Sequence, residues 1–264
     1  MHFTKMHGLG NDYLYVYGKT PKNIKDLSIK LSERHFGAGS DGMIYISPSE
    51  IADFKMRIFN ADGSEAKMCG NGIRCVGKYV YDKGYTDKKH LNIETLSGIK
   101  NLELNVVGGQ VKTVAVKMGK AVVSENVCIS VCDEEVLCTP VSMGNPHAVI
   151  FVEDIKAARI TEIGPAFEHH KSFPDGVNTE FVEVMDEHTL RMRVWERGSG
   201  VTMACGTGAC ASVAAAIKAG YCSFNDEISV VLDGGILKIK IDSDYSVTMT
   251  GPAETVYEGE TEIC

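Results

Sequence analysis

The feature that most constrains this chain is an internal repeat. Asn60-Ala-Asp-Gly-Ser-Glu-Ala-Lys-Met-Cys69-Gly-Asn-Gly72 returns 136 residues later as Glu196-Arg-Gly-Ser-Gly-Val-Thr-Met-Ala-Cys205-Gly-Thr-Gly208, and helical spacing follows each copy. Upstream, Gly10-Asn11 before the strand-like Leu14 to Tyr17 matches Gly144-Asn145 before Ala148 to Val152, at an offset of 134. Either match alone is a glycine turn recurring by chance, whereas two in order and in nearly one register argue for duplication. The expected organisation is two related halves, 1–116 and 117–250, joined near Lys112 to Lys120, with the tail 251–264 returning to the first half. A length of 264 residues agrees with a prior of about 150 per domain.

Strands dominate the pattern. Period-two apolar alternation runs through Leu102 to Val107, Val111 to Val116, Phe181 to Val184, Ile228 to Leu232, Ile236 to Ile241 and Val247 to Thr250. Helical spacing is clearest at Ile24 to Arg34, Ile73 to Lys83 and Ala209 to Gly220, where the glycine is a natural stop. The start, MHFTKMHGLGND, lacks the apolar core of a signal peptide, and no apolar run approaches the roughly 18 residues of a membrane span, so a cytosolic protein is expected. A formal charge of -8 with no basic block disfavours nucleic acid and anionic membrane as partners.

Nine cysteines, an odd number without a secreted framework, point to free thiols. Cys75, Cys128, Cys132, Cys138, Cys210, Cys222 and Cys264 are read as small buried hydrophobes. Cys69 and Cys205 differ. Each precedes Gly-x-Gly and a helix, where backbone N–H groups without intrahelical partners favour negative charge, whether a thiolate or the carboxylate of a ligand. Their spacings to neighbouring cysteines fit neither a zinc site nor a CxxC redox pair, and a cysteine hydrolase needs one nucleophile with an oriented histidine rather than two equivalent thiols. Two thiols from two halves facing one cleft suit a stereocentre that loses a proton on one face and regains it on the other, which is a two-base racemase or epimerase. No pyridoxal phosphate lysine motif or dinucleotide fingerprint is evident, since Gly37-Ala-Gly39-Ser-Asp-Gly42 has the wrong glycine spacing, so a cofactor-free reaction is the simpler reading.

The chain resembles the diaminopimelate epimerase family along almost its full length. The matching segments are Lys5-Met-His-Gly-Leu-Gly-Asn-Asp12, Arg34-His-Phe-Gly-Ala-Gly-Ser-Asp-Gly42, Phe59-Asn-Ala-Asp-Gly-Ser64, Cys69-Gly-Asn-Gly-Ile-Arg-Cys75, Gly144-Asn-Pro-His147, Val177-Asn178, and Glu196-Arg-Gly through Cys205-Gly-Thr-Gly-Ala-Cys210. The resemblance implies an α/β fold of two pseudosymmetric domains, each a barrel-like curved sheet around a central helix. It also implies Cys69 and Cys205 as acid and base, converting LL-diaminopimelate to the meso form for lysine and cell-wall synthesis without a cofactor, in a homodimer. Carried over, Asn11, His147 and Glu196 line the reacting end, and the main chain of Gly70, Asn71, Gly206 and Thr207 holds its carboxylate. Asn60, Asn145, Asn178 and Arg197 belong to the substrate cage, with the planar fork of Arg197 suited to the distal carboxylate.

Duller readings stand beside these. The four asparagines flank turn residues and can act as backbone caps, His147 can be a satisfied structural histidine, and Glu196 with Arg197 can be an exposed charged turn. Ser40 stands where many relatives have a small apolar residue, and Val201 where an acidic residue is frequent. The competing functions are racemisation of another amino acid such as histidine or proline, a phenazine-type isomerase, which does not use this cysteine pair, and a non-catalytic amino acid binding protein, which needs neither thiol.

Overall fold

Both Cys-Gly-x-Gly motifs open a helix of thirteen residues in the computed structural model, which describes residues 1–262. The chain divides into two compact units, Met1–Val116 with the chain from Gly251 onward, and Lys117–Thr250. In the first unit the order is β1 (His2–Gly8), β2 (Asn11–Tyr17), α1 (Ile24–Ser32), β3 (Gly42–Pro48), β4 (Phe54–Asn60), β5 (Glu65–Ala66), α2 (Gly70–Asp82), β6 (His90–Thr95) and β7 (Gly98–Val107). The chain passes into the second unit within β8 (Gln110–Lys120). There follow β9 (Val122–Val123), β10 (Val127–Val131), β11 (Glu134–Ser142), β12 (Pro146–Phe151), α3 (Ile160–Glu168), β13 (Asn178–Asp186), β14 (Thr189–Glu196), β15 (Gly200–Val201), α4 (Gly206–Lys218), β16 (Glu227–Leu232) and β17 (Gly235–Ile241). The chain leaves within β18 (Ser246–Pro252), and β19 (Glu254–Glu260) pairs antiparallel with β1.

The pairing runs through one succession twice. β2 lies parallel to β3 across α1, β4 returns antiparallel, β6 adds parallel to β4 across α2, and β7 and β8 follow as an antiparallel meander. In the second unit β12 and β13 are parallel across α3, β14 returns antiparallel, β16 adds parallel across α4, and β17 and β18 complete the meander. Strands β2, β3 and β12 are buried on both faces and carry near-continuous apolar runs, as strands flanked by helices must. Strands β8, β16 and β17 keep the alternation of strands with one covered face.

Two helices of each kind explain this burial. On one face of its strands, α1 packs Ile24, Leu27 and Leu31 against Phe3, Leu14, Val16, Met43 and Phe59, and α3 packs Ile160, Ile163 and Phe167 against Ile150, Val177 and Phe181. The second helix of each unit is central. α4 touches β9, β11, β12, β13, β14, β16 and β17, and its Ala- and Gly-rich sequence lets strands approach on every side. α2 packs against β1, β2 and β7, and ten of its residues are buried, including Arg74 and Lys78. Arg74 Nε donates to the Pro252 carbonyl at 3.0 Å and Lys78 Nζ to Asp82 at 2.6 Å and the Val111 carbonyl at 2.9 Å, so these cations are paired rather than stranded.

The helix ends repeat as well. Gly84 (φ 75°) and Gly220 (φ 80°) adopt the left-handed conformation just past each helix. Gly84 and Tyr85 return their N–H groups to the carbonyls of Tyr81 and Val80, and Gly220 and Tyr221 to those of Ile217 and Ala216, which is one Schellman closure used twice. The helices begin at Gly70 and Gly206, three residues before the apolar periodicity starts, because glycines in the first turn carry no hydrophobic signal. α3, not among the helical spans read from the sequence, contains Pro165, and a Cβ at its Gly164 would meet Trp195 at 2.5 Å, so Gly-Pro there serves close packing against β14.

The eight cysteines among the described residues are in no disulfide. Cys75, Cys138, Cys210 and Cys222 are buried, whereas Cys128 and Cys132 are exposed, correcting their reading as buried hydrophobes. Cys128 falls on the outward face of β10. Cys132 occupies a two-residue hairpin turn with Asp133, both at positive φ (51° and 62°), a position that faces solvent. Cys264 lies outside the described residues. Among those residues no helix is long and apolar enough to cross a membrane.

Candidate functional site

In the first unit Cys69 is the N-cap of α2. Its backbone is extended, and its sulfur accepts the N–H of Gly72 at 3.3 Å. The thiol donates to Asn11 Oδ1 at 3.3 Å, bringing the first residue of β2 to the helix start. The Asn11 amide has its orientation set from behind, because Nδ2 donates to Asp41 Oδ2 at 2.8 Å. Asp41 also receives the Asp12 N–H at 3.1 Å and the Arg34 guanidinium at 2.9 Å. Asp41 and Arg34 stood inside a quoted motif without a role, and the structure gives them one: they aim Asn11. Asn71 is buried in the first turn of α2, against Gly8, where an added Cβ would meet Asn71 at about 3 Å. Asn60 ends β4 and its amide donates to Ser64 Oγ at 3.0 Å, a turn contact of the duller kind. Ser40 is buried and its hydroxyl donates to the Gly42 carbonyl at 2.9 Å, which accounts for a polar residue at that position.

In the second unit Cys205 caps α4 in the same way, accepting the Gly208 N–H at 3.3 Å from an extended backbone. Around it stand groups the first unit lacks. Thr207 Oγ1 lies 3.6 Å from the sulfur and accepts from Asn145 Nδ2 at 3.3 Å. Glu196, at the end of β14, accepts from Thr202 Oγ1. Burial pushes the Glu196 carboxyl up, with Glu180 adding to the push, while the Thr202 and Cys205 bonds and His147 pull against it. The Cys205 thiol is pushed well above its ordinary range, by burial first and then by Glu196 and Glu180, against the Thr207 and Gly208 bonds. Burial and the two carboxylates thus favour the protonated form of Cys205.

His147 lies on β12, and Asn178 opposes it across the parallel ladder to β13. Its Nδ1 sits 2.7 Å from Glu180 Oε1, and both side chains are fully buried. Glu180 is a residue that sequence reasoning missed. A charged residue beside Thr179 and Phe181 carries no sign of burial by itself; it is buried because β13 is covered on both sides, by α3 and α4. Asn178 Oδ1 accepts the Arg197 N–H at 2.9 Å, and the exposed Arg197 guanidinium donates to the Asp175 carbonyl at 2.5 Å. Val201 is exposed on β15.

Of the residues singled out from sequence, the structure thus joins Asn11 to Cys69, Asn145 and Thr207 to Cys205, and Asn178 to Arg197, while Asn60 turns to Ser64. Gly70 and Gly206 open the two helices, where N–H groups are available to a carboxylate.

A family model described as "Diaminopimelate epimerase" matches residues 3–124 and 139–256. A diaminopimelate epimerase of Methanococcus maripaludis (strain C5) is 51% identical over 279 residues, covering 100% of both chains. One from Acetivibrio thermocellus is 51% identical over 280 residues, covering 100% of this chain and 99% of the other. Among solved structures, a phenazine biosynthesis protein of Bacillus anthracis superposes with a TM-score of 0.81 at 18% identity, covering 100% and 99% of the two chains, a likeness of fold alone. End-to-end identity of about half, on top of a matched family model, makes this chain a member of the diaminopimelate epimerase family.

Proposed function

We propose that the protein epimerises diaminopimelate, interconverting the LL and meso forms at one α-carbon, with Cys69 and Cys205 as base and acid and with no cofactor. The observation that carries the reading is the repeated cap: in each unit a cysteine sulfur accepts the third N–H of a buried helix, so each unit supplies one sulfur at a helix N-terminus. A carbon that must be deprotonated on one face and reprotonated on the other needs two such groups.

In the forward step a thiolate takes the α-proton, the C–H bond breaks, and its electron pair spreads into the adjoining carboxylate. The main-chain N–H groups of Gly70, Asn71, Gly206 and Thr207 receive the charge that develops there. The other thiol gives its proton to the opposite face, so the S–H bond breaks as the new C–H bond forms, and the two sulfurs exchange protonation states. Asn11, His147 and Glu196 serve the reacting end, and Asn60, Asn145, Asn178 and Arg197 hold the distal amino acid group, with the Arg197 fork on its carboxylate. The same reading makes the units 1–116 plus 251–264 and 117–250 the products of duplication and the enzyme a cytoplasmic homodimer, the latter measurable by light scattering on the eluting protein.

The direct test is incubation with LL-diaminopimelate in D2O followed by proton NMR. Meso product with solvent deuterium at one of the two α-centres supports the reading. Unchanged substrate with retained α-protons, or faster turnover of histidine or proline, contradicts it.

A further inference from the structure

The repeat allows each residue around one thiol to be compared with its counterpart around the other. At the offset of 136 that relates Cys69 to Cys205, Glu180 corresponds to Ile44 and Glu196 to Asn60; at the offset of 134 that relates Asn11 to Asn145, His147 corresponds to Tyr13. Packing supports the register: a Cβ added at Gly72 would meet Ile44 Cδ1 at 2.7 Å, and one added at Gly208 would meet Glu180 Oε1 at 2.6 Å. The wall behind the first helix start is thus Ile44 with Tyr13, and the wall behind the second is a buried carboxylate with an imidazole.

A fully buried carboxylate is costly in a core unless it is paired and serves a purpose. Glu180 Oε1 is 2.7 Å from His147 Nδ1. The remaining atoms of the pair, Glu180 Oε2 and His147 Nε2, are buried without a hydrogen-bond partner. An apolar residue such as the isoleucine of the other unit fills the position without that cost, so packing alone does not account for the pair.

We propose that Glu180 is a positioning residue: by fixing His147 through Nδ1 and setting a carboxylate behind the α4 start, it makes the two repeated thiol sites chemically unequal and keeps Cys205 protonated. The inference rests on Cys69 and Cys205 being the working thiols. The charge of Glu180 opposes formation of a second anion at Cys205, in the same direction as Glu196. The groups facing Cys205 are therefore Glu180 from β13, Glu196 from β14, and Thr207 and the Gly208 N–H from α4, with His147 from β12 held against Glu180, whereas those facing Cys69 include Asn11, Tyr13 and Tyr15 from β2 and Cys75 and the Gly72 N–H from α2. Glutamine in place of Glu180 keeps an acceptor for Nδ1–H and removes the charge.

The test is Glu180→Gln in protein carrying 13Cβ-labelled cysteine, titrated by NMR, with the assignments made by single cysteine variants. Ionisation of Cys205 moves to lower pH by about one unit, a tenfold rise in thiolate fraction at fixed pH, while the Cys69 curve stays in place. An unmoved Cys205 curve, or equal movement of both, overturns the proposal. If Glu180→Gln does not fold, 15N NMR of the histidines in the parent decides: His147 must carry a proton on Nδ1, and a bare Nδ1 overturns the proposal. Neither measurement requires turnover, so failure of the epimerase reading and failure of this one register separately.

Discussion

Alanine at Gly208 and alanine at Gly72 are the same change at the third residue of two matching helices, yet the structure sets different outcomes. In an unobstructed helix the change favours folding by up to about 1 kcal/mol, because alanine restricts the unfolded chain. At Gly72 the new Cβ would lie 2.7 Å from Ile44 Cδ1 and 3.2 Å from Met56 Cε, the ends of side chains that can turn aside. The two effects nearly offset, and Gly72→Ala stays within about 1 kcal/mol of the parent. At Gly208 the Cβ would lie 2.6 Å from Glu180 Oε1 and 3.2 Å from Cys205 Sγ. Glu180 has no solvent to move into, and its Oε1 holds His147 at 2.7 Å. Overpacking typically costs about 1–3 kcal/mol, and a buried polar group deprived of its partner a further 1–3 kcal/mol or so. With the helix gain subtracted, Gly208→Ala is destabilised by roughly 2–4 kcal/mol, which lowers Tm by about 5–12 °C for a chain of this size. Calorimetry on both variants measures it directly. A Gly208→Ala melt within about 2 °C of the parent, or an equal loss at Gly72→Ala, would show that Glu180 is not fixed where the structure has it.

Serine at either capping cysteine retains an N-cap acceptor while alanine removes it, so Cys69→Ser and Cys205→Ser melt above the matching alanine variants by about 1 kcal/mol in urea titrations, although both kinds lose turnover. Arg197→Lys keeps the charge but not the planar fork; kcat/KM for LL-diaminopimelate falls about tenfold or more, while the melt of this exposed position moves by less than about 0.5 kcal/mol. Burial pushes the Cys75 thiol up to about 11, the Cys138 thiol up to about 12 and the Cys222 thiol up to about 11, so the folded state holds protons that the unfolded chain releases from about pH 8.5. Their contribution is complete below that pH and is lost as pH rises through the folded values; denaturation midpoints therefore fall steadily from about pH 9 to 11, and a flat profile there contradicts the burial of these thiols.

The parts of the site that the sequence made legible are those whose signal is local. Glycine after cysteine before an apolar periodic run marks a helix start, and glycine at 220 marks an end, whatever surrounds it. Asn11 and Asn145, each after a glycine and before a strand, are legible for the same reason. What surrounds those points is set by tertiary burial and is silent in a strand pattern. A glutamate between Thr179 and Phe181 gives no local sign of burial, and only the covering of β13 by both α3 and α4 makes Glu180 a core carboxylate. The repeat held a usable signal, since an acidic residue stands where its counterpart is Ile44. The support of Asn11 by Asp41 crosses 30 residues of chain and has no periodic trace. Cys128 and Cys132 show the converse: a residue type that favours interiors was read as buried, while strand facing and a positive-φ turn place both outside.

The two-thiol mechanism is tested most directly by Cys69→Ala and Cys205→Ala, each confirmed to be folded and each assayed from LL and from meso substrate. Each direction uses one sulfur as base and the other as acid, so either removal lowers kcat/KM by about 100- to 10,000-fold or more. The substrates alone set the overall equilibrium constant, and a given variant must therefore lose the same factor in both directions. Matching losses at both positions are the predicted result; near-parental turnover by either variant contradicts the mechanism.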